Sequence, residues 1–182
     1  MKRNTGLLWF LVASSLLAAE PEKSSLSAPT VDRVGFPKGY LEGFQVLRTV
    51  GKTNELKVVT IYGNKAAASV TNAVQLPYPY GSVIVMETAN VLKDAQGKAV
   101  IDAQGNLQKD KVVGLHVMRR EQGFGQAYGE NRAGEWEFVE YAAEGGHITS
   151  PEKSGKCAEC HVKATAKWDF VYRARVRDGE NK

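Results

Sequence analysis

Ser82-Val83-Ile84-Val85-Met86-Glu87-Thr88-Ala89-Asn90-Val91 is the stretch on which the fold turns. Side chains along a strand alternate between two faces. Val83, Val85 and Glu87 therefore share one face, and Ile84, Met86 and Thr88 share the other. Both faces are apolar at the centre, so this strand is expected inside a sheet covered on both sides.

Upstream, Tyr80-Gly81 turns the chain into the strand, and Pro77 and Pro79 forbid helix before it. Residues 65–70 are the best helix former in the chain, with Asn64 as the expected N-cap. Leu56 to Tyr62 reads as a strand rich in β-branched residues. Phe44 to Val50 reads as another, with Phe44, Val46 and Leu47 turned inward. Pro37 opens the domain in a short helix or turn.

Downstream, Asp94-Ala95-Gln96-Gly97 and Asp102-Ala103-Gln104-Gly105 nearly repeat one another in the language of hairpin turns. The polar segment 93–110 reads as one exposed hairpin, with too few acids for a calcium loop. Lys111 to Arg120 is a strand with Gly114, His116 and Met118 on one face and Val113, Leu115 and Val117 on the other. Residues 121–134 hold Gly123, Gly125, Gly129 and Gly134 and read as a long mobile loop. Trp136 to Tyr141 is the last clear strand. Gly145-Gly146 and Pro151 lead to a helix at about 155–167, and Asp169 to Val176 ends the fold. The expected class is α+β: a mainly antiparallel sheet with a helical segment near the carboxyl end.

That helix carries Cys157-Ala158-Glu159-Cys160-His161, with the only two cysteines of the chain. C-x-x-C-H is the pattern of covalent c-type haem attachment. Residues i and i+3 lie on one helix face, where two thiols can add to the two vinyl groups of one haem edge. The next residue, His161, then reaches the iron as proximal imidazole. A redox dithiol would want a βαβ pattern around the pair, and none is visible. A zinc site would want a second cysteine pair, and His161 is too near Cys160 to complete a tetrahedron easily. A structural disulfide would close a loop too tight to remove much chain entropy.

At 182 residues the chain is long enough for one domain with a real core. Its first 19 residues read as a secretory signal peptide: Lys2 and Arg3, an apolar run from Leu7 to Val12, then small residues before Glu20-Pro21. The apolar run is shorter than the roughly 20 residues of a comfortable span, although an uncleaved anchor is the competing reading. No cysteine at the cleavage region argues against a lipid anchor. Removing residues 1–19 takes Lys2 and Arg3 from the 24 basic residues, leaving 22 against 20 acids. So balanced a chain offers no nucleic-acid surface and, once cleaved, no membrane segment. Residues 20–35 read as a flexible mature terminus with too little apolar surface to pack independently. Residues 36–176 form the haem domain, and 177–182 a polar tail. Export together with C-x-x-C-H points to a bacterial periplasm.

From about Phe36 to Arg175 the chain resembles cytochrome P-460 and its relative cytochrome c′-beta. The resemblance rests on Pro37-Lys38 with Tyr40 and Glu42, and on Tyr80-Gly81-Ser82-Val83-Ile84-Val85 followed by Glu87. Gly114-Leu115, Trp136, the late C-x-x-C-H, and Ala166-Lys167 with Asp169 and Val171 complete it. It implies a homodimeric, mainly antiparallel β protein with one covalent haem c, proximal His161 and an open distal site. In the cytochromes P-460 a lysine just before the position of Glu87 is bonded to a haem meso carbon, and that cross-link accompanies hydroxylamine oxidation. Met86 stands there instead, and a thioether has no nucleophilic nitrogen. Lys93 and Lys98 lie in the polar hairpin and are not expected to substitute. The chain thus looks more like the uncross-linked c′-beta side, associated with nitric oxide binding behind an apolar cap.

Met86 is core filler, an apolar cap, or a sixth ligand that would make a Met/His electron-transfer cytochrome. Met118 is core filler or a ligand, and His116 is a surface or hydrogen-bonded strand residue or a haem ligand. His147 is expected in an exposed loop. Glu140 and Glu144 are candidates to supply a proton. Arg119, Arg120 and Arg132 are candidates to pair with propionates or a bound anion. Phe124, Tyr128, Trp136 and Phe138 are expected to pack against macrocycle or core. The expected function is binding of a small neutral ligand such as nitric oxide. The alternatives are hydroxylamine oxidation or electron transfer, with a redox partner protein in either case.

Overall fold

The computed structural model describes residues 26–172. The proposed signal peptide, the start of the mature terminus and the polar tail lie outside them. Among the described residues six strands form one antiparallel sheet in sequence order: β1 Gln45–Lys52, β2 Lys57–Gly63, β3 Val83–Val91, β4 Lys109–Arg120, β5 Trp136–Tyr141 and β6 His147–Thr149. Three short α-helices accompany them among the described residues: α1 Tyr40–Gly43, α2 Lys65–Ser69 and α3 Gly155–Val162. The α+β class and the interior place of β3 are as the residue pattern requires. Asn64 caps α2, its side chain accepting from the Ala67 N–H at 3.0 Å. Among the described residues no helix is long and apolar enough to cross a membrane.

Strand register sorts the side chains into two faces, because directly paired residues point the same way. Ile61, Met86, His116 and Glu140 form one cross-strand row, and Ile84, Met118 and Phe138 the row beside it. The opposite face carries Tyr62, Val85, Val117 and Val139 in one row. Its next row holds Glu87, Leu115 and Tyr141. The first face packs under α3 with Tyr78, Tyr128, Trp136 and Trp168. The second packs under Val34 and Tyr40. Glu87 is fully buried there. It accepts from the Tyr40 hydroxyl and from Lys109 Nζ at 2.8 Å, so the buried charge is paired.

Four readings of the sequence are corrected. Val46 does not turn inward; it is exposed, because β1 is an edge strand with its sides open to solvent. Segment 93–110 is not one hairpin but two successive small ones. Asp94 accepts the N–H groups of Gln96 and Lys98, and Asp102 those of Gln104 and Asn106. The near repeat is thus a repeated Asx turn. The helix at 155–167 stops at Val162, since Thr165 adopts φ 67° and a 3₁₀ turn follows at Ala166–Trp168. Finally, 121–134 is a packed segment in which Gln126–Asn131 forms two 3₁₀ turns joined by a kink at Gly129.

That last segment is fastened by a polar chain. Tyr128 Oη accepts the Phe138 N–H at 3.1 Å and donates to Ser154 Oγ at 2.9 Å. Ser154 donates on to the Pro151 carbonyl at 2.6 Å. Burial raises the Tyr128 hydroxyl to about 12, so it stays protonated and able to donate. Gly125, at φ +78°, is required here: a Cβ would lie 2.5 Å from the Gly134 carbonyl oxygen. The chain of bonds ties β5 to the start of α3 and so seats the helix.

Residues 26–35 also make contacts that their composition did not announce. Asp32 Oδ2 accepts from the Tyr141 hydroxyl at 2.7 Å and meets His147 Nε2 at 2.9 Å. Arg33 pairs with the buried Glu137, and Val34 is buried against the sheet. His147 therefore belongs to β6 and to this arm, with its side chain still partly exposed.

Candidate haem site

An apolar hollow of about 410 Å³ lies between α3 and the first face of the sheet. Ile61, Ile84, Met86 and Met118 contribute its sheet side, and Cys157, Cys160 and His161 its helix side. His116 and Phe138 also line it. Two larger hollows, about 610 and 480 Å³, run along the polar turns near 52–57 and 92–110, and no cysteine or histidine lines either.

Helical spacing sets the two thiols one turn apart on α3, with the fully buried Ala158 between them holding the helix to the core. Cys157 is half-buried, and Cys160 is exposed. Burial, then the charge of Glu140, pushes the Cys157 thiol up to about 11. A redox dithiol needs a thiolate at neutral pH, so this environment speaks against that reading. Tyr172 closes the helix end, donating from its hydroxyl to the Cys160 carbonyl at 2.8 Å.

The His161 ring stands 4.5 Å from the Phe138 ring, centroid to centroid. Its Nδ1 donates to the Phe170 carbonyl oxygen at 2.8 Å. That bond assigns the tautomer and leaves the Nε2 lone pair free for a metal. Burial lowers the imidazole's pKa, with His116 adding to it, against the opposing effect of the Phe170 bond. The ring is therefore neutral at pH 7, the form that ligates.

The residues present fit a c-type haem: two unpaired thiols on one helical turn, a neutral imidazole with one nitrogen already satisfied, and an apolar hollow in front of them. Such a haem would supply an iron able to take electrons and small ligands. Cys157 and Cys160 would hold its edge and His161 its metal.

Met86 of β3 comes together on this cavity with His116 and Met118, which share one face of β4. Glu140 sits beside it, its Oε1 3.2 Å from His116 Nε2 and its Oε2 accepting from Thr149 at 2.8 Å. Glu144 lies in an exposed turn. The three arginines are engaged elsewhere: Arg119 with Glu121 at 2.9 Å, Arg120 with Glu135 at 3.3 Å, and Arg132 with the Gly134 carbonyl at 3.0 Å. Tyr128 and Trp136 pack behind the cavity with Phe138, while Phe124 lies under the Arg33 guanidinium, 4.4 Å away. Phe170 was missed, and nothing in the sequence could have marked it, because its contribution is a main-chain carbonyl.

Fold and cavity together define a class: the c-type haem cytochromes. The chain belongs to the cytochrome P460 family, whose family model matches residues 37–173. No curated protein matches it.

Proposed function

We propose that this cytochrome binds a small neutral ligand such as nitric oxide at an open or weakly capped iron, in nitrogen-oxide metabolism or detoxification. The observation that carries this reading is the sheet side of the cavity, where Ile61, Ile84, Met86 and Met118 make the lining mainly apolar around His116. Apolar walls cannot compensate the desolvation of a charged ligand and so favour neutral gases. Cys157 and Cys160 act as the thioether anchors of one haem, and His161 as its proximal ligand. Met86 serves as apolar cap. The proposal includes export to the periplasm, a homodimeric state, and a redox partner protein.

The test is an electronic spectrum of purified holoprotein followed by nitric oxide titration. Five-coordinate iron that binds nitric oxide is the expected result. Six-coordinate low-spin iron indifferent to the gas would rule the proposal out.

A second reading, oxidation of hydroxylamine without the lysine cross-link, draws on the His116–Glu140 pair beside the cavity. Those side chains are placed to accept protons that such an oxidation releases. Steady-state turnover with an artificial acceptor separates the two readings. A Met/His electron carrier is separated by carbon monoxide, which its reduced form would ignore.

A further inference from the structure

His161 depends on one hydrogen bond, and its acceptor is a backbone carbonyl. Where that carbonyl points is decided by the torsions of Asp169 and Phe170. Both are left-handed, with φ 48° and 58°, a conformation that residues with a Cβ rarely adopt. Something outside the turn must therefore hold it.

Asp169 is the residue that reaches out. Its carboxylate, only 9% exposed, accepts the Tyr78 N–H at 2.9 Å across the fold. The same oxygen lies 3.6 Å from Arg120 Nε. Arg120 in turn donates to the Tyr78 carbonyl and to Glu135 at 3.3 Å. Its guanidinium also covers the Tyr80 ring at 4.6 Å. Asp169 and Arg120 thus grip the Tyr78 residue by its N–H and its C=O. On the other side, the Phe170 ring lies against Gly134, where a Cβ would come within 3.0 Å of it. The turn is closed from within by the Phe170 N–H on the Thr165 carbonyl at 2.9 Å. Asp169 is not among the residues lining the cavity. Its contacts with Tyr78 and Arg120 lie away from the hollow.

We propose that Asp169, with Arg120, is a positioning residue for the proximal ligand. It holds the Phe170 carbonyl on His161 Nδ1 and thereby sets how strongly this imidazole donates to iron. The inference rests on the reading of His161 as proximal ligand. An acceptor on the far nitrogen raises the basicity of a ligating imidazole. Losing that acceptor weakens the metal bond and favours the reduced iron.

The test uses haem-loaded protein carrying Asp169→Ala, Asp169→Asn or Arg120→Lys. The readouts are the iron–histidine stretching band of the ferrous form by resonance Raman and the midpoint potential, with melting temperature measured in parallel. Asp169→Ala is expected to lower and broaden the band and to raise the potential. Asp169→Asn keeps an acceptor for the Tyr78 N–H and is expected to stay nearer the wild type in both. Arg120→Lys is expected to shift both in the alanine direction. If Asp169→Ala yields no haem protein, movement in Arg120→Lys supports the proposal and no movement overturns it. A wild-type band that no variant moves, whatever happens to melting temperature, overturns this proposal alone. A wild type whose ferrous iron is five-coordinate yet shows no iron–histidine band overturns the proximal-ligand reading and this proposal with it.

Discussion

Met86 and His116 stand directly opposite one another on β3 and β4, and both line the cavity in front of His161. One is apolar and adaptable, the other a titratable donor. The pairing gives the sheet side of the cavity a split character that neither strand shows alone. It also makes Met86 the residue on which the open-site reading is most easily checked.

Met86→Leu keeps volume and apolarity but removes the sulfur. With an open iron, the coordination state of the holoprotein is expected to stay unchanged and nitric oxide binding to persist. Disappearance of a low-spin component on substitution would show that the sulfur had been bound to the metal.

Covalent attachment has a direct readout in intact mass under denaturing conditions. Cys157→Ser and Cys160→Ser together are expected to abolish the haem mass increment, and His161→Ala alone is expected to retain it. A His161→Ala protein that carries no covalent haem would contradict this division of roles.

Glu87 is expected to matter for stability and not for the haem. It is wholly buried on the face away from the cavity, bonded to Tyr40 and Lys109. Glu87→Ala leaves the buried Tyr40 hydroxyl without its acceptor, while the half-exposed Lys109 can turn to water, and should destabilise the fold by about 1–3 kcal/mol. Denaturant unfolding measures this. A shifted haem spectrum in the folded variant would argue for a wider role.

Acid should loosen the arm at 26–35 before the sheet. Burial pushes the Asp32 carboxyl up, but the Gly35 N–H, His147 and the Tyr141 hydroxyl together outweigh it and hold it below the usual range. A depressed folded-state pKa contributes stability above the unfolded value, about 3.9, and that contribution is lost as pH falls through the folded one. Protection factors in the arm, with the intrinsic pH dependence of exchange removed, should therefore fall below about pH 4, and Asp32→Asn should flatten that dependence.

Residues 121–134 should behave as structure. The N–H groups of Phe124, Tyr128 and Arg132 all find carbonyl partners within the segment, at 3.1 to 3.2 Å. Their exchange should be slower than that of the turns at 94–97 and 102–105. Tyr128→Phe leaves the buried Phe138 N–H without its acceptor and should cost about 1–3 kcal/mol. Free exchange throughout the segment would show that the packing is not maintained in solution.

What the sequence determined by itself was local. Alternation in residues 82–91 placed β3 inside the sheet, Asn64 announced its helix, and C-x-x-C-H put two thiols and an imidazole on one turn. These signals are legible because a strand repeats every two residues and a helix brings i and i+3 together. Tertiary structure alone decided what faces His161, since Met86 meets His116 and Met118 only through strand register. It alone supplied Asp32 to Tyr141, Asp169 to Tyr78, and the Phe170 carbonyl to His161. Every residue carries the same carbonyl, so no side-chain pattern marks the one that a distant ring will use.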